Sequence, residues 1–160
     1  MRLIARPLTS GAFAEFGDVL RAPDSPGRIY TEAALSNRRT QAVPSLSFTC
    51  KAPTALPLVS TTMERHRHSS QSFVPMEAGR WISVVAPHGP DGRPDMARAR
   101  AFLACADQGV TYGADVWHHP FTVLDRPGRF AVFMWKDGSP ADDEFVAVAP
   151  FEVHLDGDAE

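Results

Sequence analysis

Two stretches of this chain carry residue types suited to proton transfer and metal binding. One is Glu64-Arg65-His66-Arg67-His68-Ser69-Ser70-Gln71-Ser72-Phe73-Val74-Pro75; the other is Gly109-Val110-Thr111-Tyr112-Gly113-Ala114-Asp115-Val116-Trp117-His118-His119-Pro120. Together they hold four of the six histidines. Imidazole titrates close to neutrality, so two histidines can give and take a proton within one reaction. Alternate residues of a strand point the same way, which puts Glu64, His66 and His68 on one face if a strand runs through them. His66-x-His68, then Gln71, with His118 from a second strand, also has the spacing of a divalent transition-ion site with three nitrogens and one oxygen. Against a metal, a glutamine amide is a weaker ligand than a carboxylate. His68, beside a serine-rich turn, reads equally well as a surface histidine. His118 and His119 are adjacent, so at most one faces inward. Gly113 and Asp115 tolerate a left-handed turn that would aim the following residues into the site. Glu64 shares the face of His66, as an acid, a base or a rim residue. His88 and His154 read as incidental.

The elements that must position these residues read as short strands. Candidates run over 44–50, 56–66, 80–86, 118–125, 129–136 and 144–154, punctuated by 14 prolines and 11 glycines. That pattern predicts a small barrel or sandwich, with one small ligand held in the mouth or lumen of a barrel. A short helix is expected after Thr9 or Ser10 as N-cap, with Phe13 and Phe16 on its apolar side. Residues 22–28 read as a loop. A longer helix is predicted over 95–106, opened by Pro94 and Asp95, with Met96, Ala99, Leu103 and Ala106 as its buried stripe and Arg98 and Arg100 on its solvated face. Lys136 ends the row Phe130, Val132, Met134; from there it can snorkel to solvent or reach over the mouth to hold a carboxylate. Trp81, Trp117 and Trp135 read as core or rim aromatics.

With 160 residues, 44% of them hydrophobic, the chain can bury one sizeable core, and a single domain over 1–160 is expected. The net charge is -3 with both signs scattered. No basic stripe tracks a phosphate backbone, so a nucleic-acid partner is not expected. No run approaches the ~20 apolar residues of a spanning helix, and the first residues do not read as a signal peptide. Cys50 and Cys105 form no metal or redox spacing and read as reduced thiols of a cytoplasmic protein.

The order of short motifs then resembles the ureidoglycolate lyase family, over most of the length. The carrying residues are Pro7-Leu8-Thr9 through Phe16-Gly17-Asp18-Val19, Glu64-Arg65-His66, Gln71-x-Phe73-x-Pro75-Met76 and Val84-Val85-Ala86-Pro87. Arg100-Ala101-Phe102-Leu103, Gln108-Gly109-Val110-x-Tyr112 and Val116-Trp117-His118-His119-Pro120 complete them. The resemblance implies a mainly β, cupin-like barrel, commonly homodimeric, that releases urea from ureidoglycolate and leaves glyoxylate. The chain departs from the family at several places. Arg67-His68-Ser69 replaces Pro-Leu-Gly, so His68 carries no family role. Tyr30-Thr31-Glu32 stands where an Asn/Gly-containing stretch is usual. Thr49-Cys50-Lys51 replaces an Asn-Arg pair, and Met134-Trp135-Lys136-Asp137-Gly138 replaces an Asp-Arg-Gly-Gly stretch. Lys51 and Lys136 would then stand in for arginines, as point charges without the two-pronged fork.

The expected site follows. His66 and His118 are the acid–base pair, Gln71 orients the urea or hydroxyl, and Glu64 assists. Lys136, Lys51, Tyr112 and Trp117 bind the substrate. No cofactor is required for this elimination. A divalent transition metal, if present, would take His66, His68, Gln71 and His118. Two other classes compete: a metal-dependent cupin enzyme acting on a related small acid, and a non-catalytic barrel that binds one.

Overall fold

The computed structural model describes residues 1–157. Six strands close a ring. In chain order they are β1 (Arg2–Pro7), β4 (Leu58–Arg65), β6 (Trp81–Ala86), β7 (Arg100–Ala104), β9 (Trp117–His118) and β12 (Glu144–Leu155). The circuit runs β6–β7–β1–β12–β4–β9 and back to β6, with β10 (Thr122–Val123) extending the edge of β6 that β9 occupies. The second sheet is antiparallel, in the order β2 (Gly17–Leu20), β8 (Gly109–Tyr112), β5 (Gln71–Glu77), β11 (Gly128–Lys136) and β3 (Val43–Lys51). This is the mainly β barrel expected from the sequence. Among the described residues, no helix is long and apolar enough to cross a membrane.

Alternation along the strands builds two cores. All six ring strands send apolar side chains to the ring's interior, among them Met63, Val84, Trp117, Phe151 and Val153. The other core fills the layer between the ring and the second sheet, with Phe73, Trp81, Phe102, Tyr112, Phe121 and Phe130. Every residue of β6 is buried, because Ile82, Val84 and Ala86 face one core while Trp81 and Val85 face the other. A strand buried on both faces reads as a continuous apolar run. The short helix α1 (Ser10–Phe13) is capped by Thr9, whose hydroxyl accepts from the Ala12 amide. Phe13 and Phe16 are buried as expected.

The predicted helix over 95–106 is not formed. A single 3-10 turn spans Met96–Arg98, and Arg100–Ala104 is β7. Alanine-rich helix propensity is worth only tenths of a kcal/mol per residue, and here it loses to pairing on both edges, with β6 and β1. The period is two: Ala101 and Leu103 pack in the ring core, Phe102 and Ala104 in the layer. Arg98 and Arg100 pair with Glu15 on the surface. The predicted strand 118–125 is broken into β9 and β10, with Pro120, which lacks an amide donor, between them. Strands β1, β2, β5 and β8 lie outside the expected strands: β2 and β8 have four residues each, and β1 and β5 contain Pro7 and Pro75.

Candidate active site

Glu64 and His118 are directly opposed where β4 pairs with the two-residue β9. β4 ends at Arg65, and His66, the next residue, turns its ring toward His118, with centroids 5.3 Å apart. One ligand-type atom each from Glu64, His66 and His118 lies within 4.8 Å of the others. The cluster occupies the layer between ring and second sheet: the Tyr112 ring, from β8, stacks on His118 at 4.1 Å and 10°. Both imidazoles are buried, and Glu64 is 12% exposed. Two distant segments therefore meet in one enclosed place, as strand parity required of Glu64 and His66.

Hydrogen bonds fix which nitrogen of each ring is free. His66 Nδ1–H donates to the Asp142 carbonyl at 2.9 Å, with an Asp143 carboxylate oxygen 3.1 Å away. His118 Nδ1–H donates to the Val116 carbonyl at 2.9 Å. Each Nε2 is left buried without a hydrogen-bond partner. His118 Nε2 lies 3.4 Å from Glu64 Oε1, too long to satisfy it. A backbone or carboxylate acceptor behind the ring orients an imidazole and selects its tautomer.

The environments push the two imidazoles apart. Burial lowers His66, but the Asp143 carboxylate, the Asp142 carbonyl and the charge of Glu64 outweigh it, and its pKa is raised above the ordinary imidazole value. Burial dominates at His118 and lowers its pKa, against the opposing pull of Glu64. Burial raises the Glu64 carboxyl, but the close approach of His118 and the charge of His66 carry the balance downward. The surroundings thus favour the Glu64 anion and a neutral His118, while His66 keeps its proton to a higher pH than an ordinary imidazole.

The remaining expected residues divide. Gln71 is buried, in register with Met134 and Tyr112, and its Oε1 has no partner while Nε2 donates to Met134 Sδ at 3.6 Å. Lys51 Nζ donates to the Phe121 carbonyl at 2.9 Å, lies 4.7 Å from the Phe121 ring centroid, and has its pKa lowered by burial. Lys136 Nζ lies 3.7 Å from Asp143. Lys51 is beside Gly128 and Val43 beside Lys136, eight residues further along β11. At ~3.3 Å per residue that separation is about 26 Å. The two lysines therefore start from opposite ends of the paired strands β3 and β11.

Three expectations are corrected. His68 is not in the cluster: β4 stops at Arg65 and a turn follows, so alternation does not extend to residue 68. The cluster's third residue is Glu64. Tyr112 is not placed to bind substrate by its hydroxyl, which lies 2.8 Å from Ser83 Oγ; its ring backs His118 instead. Trp117 faces the ring core and donates its indole N–H to the Gly92 carbonyl. His119, as its adjacency to His118 demanded, faces elsewhere, edge-on to Phe151; burial, with the charge of Lys51, takes its pKa down to about 4.

Asp142 and Asp143 stand outside the residues expected from the sequence. The Asp142 carboxylate accepts from Arg39 Nη2 at 2.6 Å and from the amides of Asp137 and Gly138, which fixes the carbonyl that holds His66. The run Asp142-Asp143-Glu144 at the start of a predicted strand was the available signal, since charges there must face either solvent or a buried partner. The donor set also fits a divalent ion: two buried imidazole Nε2 atoms without hydrogen-bond partners, each ring held from behind, and one carboxylate.

A family described as ureidoglycolate lyase matches residues 1–154. The ureidoglycolate lyase of Burkholderia cepacia is 41% identical over 135 residues, 78% of this chain and 75% of its own length. That of Schizosaccharomyces pombe (strain 972 / ATCC 24843) is 28% identical over 96% of each. Among solved structures, a dTDP sugar isomerase from Desulfovibrio desulfuricans G20 aligns with a TM-score of 0.49 at 15% identity, over 82% of each chain.

Proposed function

The chain belongs to the ureidoglycolate lyase family, and from that premise we propose that the Glu64–His66–His118 cluster splits ureidoglycolate into glyoxylate and urea. The carrying observation is the pair of buried, unpartnered Nε2 atoms on rings whose centroids are 5.3 Å apart, in surroundings that push one imidazole pKa up and the other down. The substrate carbon bears a carboxylate, a hydroxyl and a urea nitrogen. His118 Nε2 takes the hydroxyl proton, and the C–O bond becomes the carbonyl of glyoxylate. The C–N electron pair leaves with the urea nitrogen, which takes a proton from His66 Nε2. Glu64 stabilises the imidazolium formed on His118, and return of one proton from His118 to His66 resets the site. Lys51 holds the substrate carboxylate, because its ammonium donates to a neutral carbonyl, whereas Lys136 faces the Asp143 anion. Gln71 Oε1 orients the urea. The reaction is a carbon–nitrogen elimination and would serve allantoin breakdown.

The direct test is purified protein with ureidoglycolate, reading urea and glyoxylate against spontaneous decay; no excess over the spontaneous rate ends the proposal. The opposite shifts also set a pH profile. Activity needs His118 neutral and His66 protonated, so kcat/KM should be bell-shaped. Its acid limb should lie below the ordinary imidazole value and its alkaline limb above it. A profile lacking either limb rejects the assignment.

A second reading rests on the convergence of three ligand atoms. His66 Nε2, His118 Nε2 and the Glu64 carboxylate would hold a divalent transition ion, which supplies Lewis acidity that lowers the hydroxyl pKa. The same imidazole nitrogens cannot then carry protons. Elemental analysis before and after chelation separates the two. Undiminished turnover by metal-free protein is the expected result; one tightly held ion per chain, with loss of turnover on its removal, would replace the proton-transfer roles by ligand roles.

A further inference from the structure

Arg65 lies between Glu64 and His66, yet its side chain leaves β4 on the opposite face, toward the ring core. There the buried guanidinium stacks over Trp117, 4.3 Å from the ring centroid. It makes a two-pronged contact with Glu144, Nε to Oε2 at 2.9 Å and Nη2 to Oε1 at 3.0 Å. Its third arm, Nη1, donates to Asp115 Oδ1 at 3.0 Å.

These partners are not scattered. Glu144 directly follows Asp142 and Asp143, which hold His66 Nδ1. Asp115 stands three residues before His118, in the left-handed region at φ 75°, and its amide donates to the His66 carbonyl at 2.9 Å. Trp117 directly precedes His118. One planar group therefore ties together the three segments that carry the site: 64–66, 115–118 and 142–144.

We infer that Arg65 is a positioning residue that sets the separation of the His66 and His118 rings from behind, without touching substrate. The inference rests on the proposed reaction at that cluster. The chemistry calls for arginine. Guanidinium presents five donors in a rigid plane that can fork onto one carboxylate, reach a second and still stack on indole, whereas a lysine ammonium cannot do all three. Displacement of reacting groups by about 1 Å costs on the order of a hundredfold in rate.

The test compares Arg65→Met, Arg65→Lys, Asp115→Asn and the Arg65→Met/Asp115→Asn double variant, at a temperature where each is folded by near-UV circular dichroism. Two readouts are taken: steady-state kinetics on ureidoglycolate, and the imidazole 15N resonances of His66 and His118 against that of His154. Arg65→Met should lose about a hundredfold in kcat with KM within ~3-fold. Arg65→Lys should recover only part of it. The double variant should be no worse than Arg65→Met, because both remove one contact. The His66 and His118 signals should move while His154 stays. A folded Arg65→Met with unchanged kcat and unmoved ring signals, even if its melting temperature falls, overturns the inference, as does full rescue by lysine. If Arg65→Met does not fold, Arg65→Lys and Asp115→Asn carry the same readouts. Should the wild type fail to turn over ureidoglycolate while the ring signals still move in the variants, the reaction is wrong and the positioning role stands.

Discussion

Replacing His118 with Ala should lower kcat on ureidoglycolate by about a hundredfold or more, the usual worth of a positioned proton-transfer group. The substitution removes the free Nε2 and also the ring on which Tyr112 stacks, so a stability loss accompanies it. The measurement therefore belongs on protein shown to be folded. Added imidazole should restore part of the rate to the variant, because the ring leaves a space of its own shape. Wild-type turnover by folded His118→Ala would refute the base assignment.

Glu64→Gln should give the second largest effect. The carboxylate stabilises positive charge on His118, and a hydrogen bond to a charged group is worth roughly 1.5–3 kcal/mol. At ~1.4 kcal/mol per tenfold, kcat should fall about tenfold to a hundredfold. Some stability should fall with it, since the contacts with His118 and the charge of His66 outweigh the burial that opposes the Glu64 anion, so folding favours the ionised carboxylate and the amide loses that contribution. The acid limb of the pH profile should also move to lower pH, because the group that raises the His118 pKa is gone. An unmoved acid limb would show that Glu64 does not act on His118.

Much of the site was legible without coordinates. A strand's period of two is a local property, so Glu64 and His66 could be assigned one face from their order alone. The two adjacent histidines could likewise be split into one inward and one outward ring. The reading failed wherever local pattern met long-range pairing. The alanine-rich segment at 95–106 has the composition of a helix, yet two neighbouring strands hold it as β7. His68 continues the alternation on paper, but a turn begins before it.

Residue types, their parity and the resemblance they carry determined the barrel, the family and the two imidazoles that meet in the buried cluster. Which nitrogen of each ring is free, which imidazole keeps its proton, and which lysine has a charge to spare depend on Val116, Asp142, Asp143 and Phe121. Asp142 alone stands 76 positions from His66. Hydrogen bonds and burial act through space over a few ångströms, and only the closing of the ring against the second sheet brings such distant groups within that range.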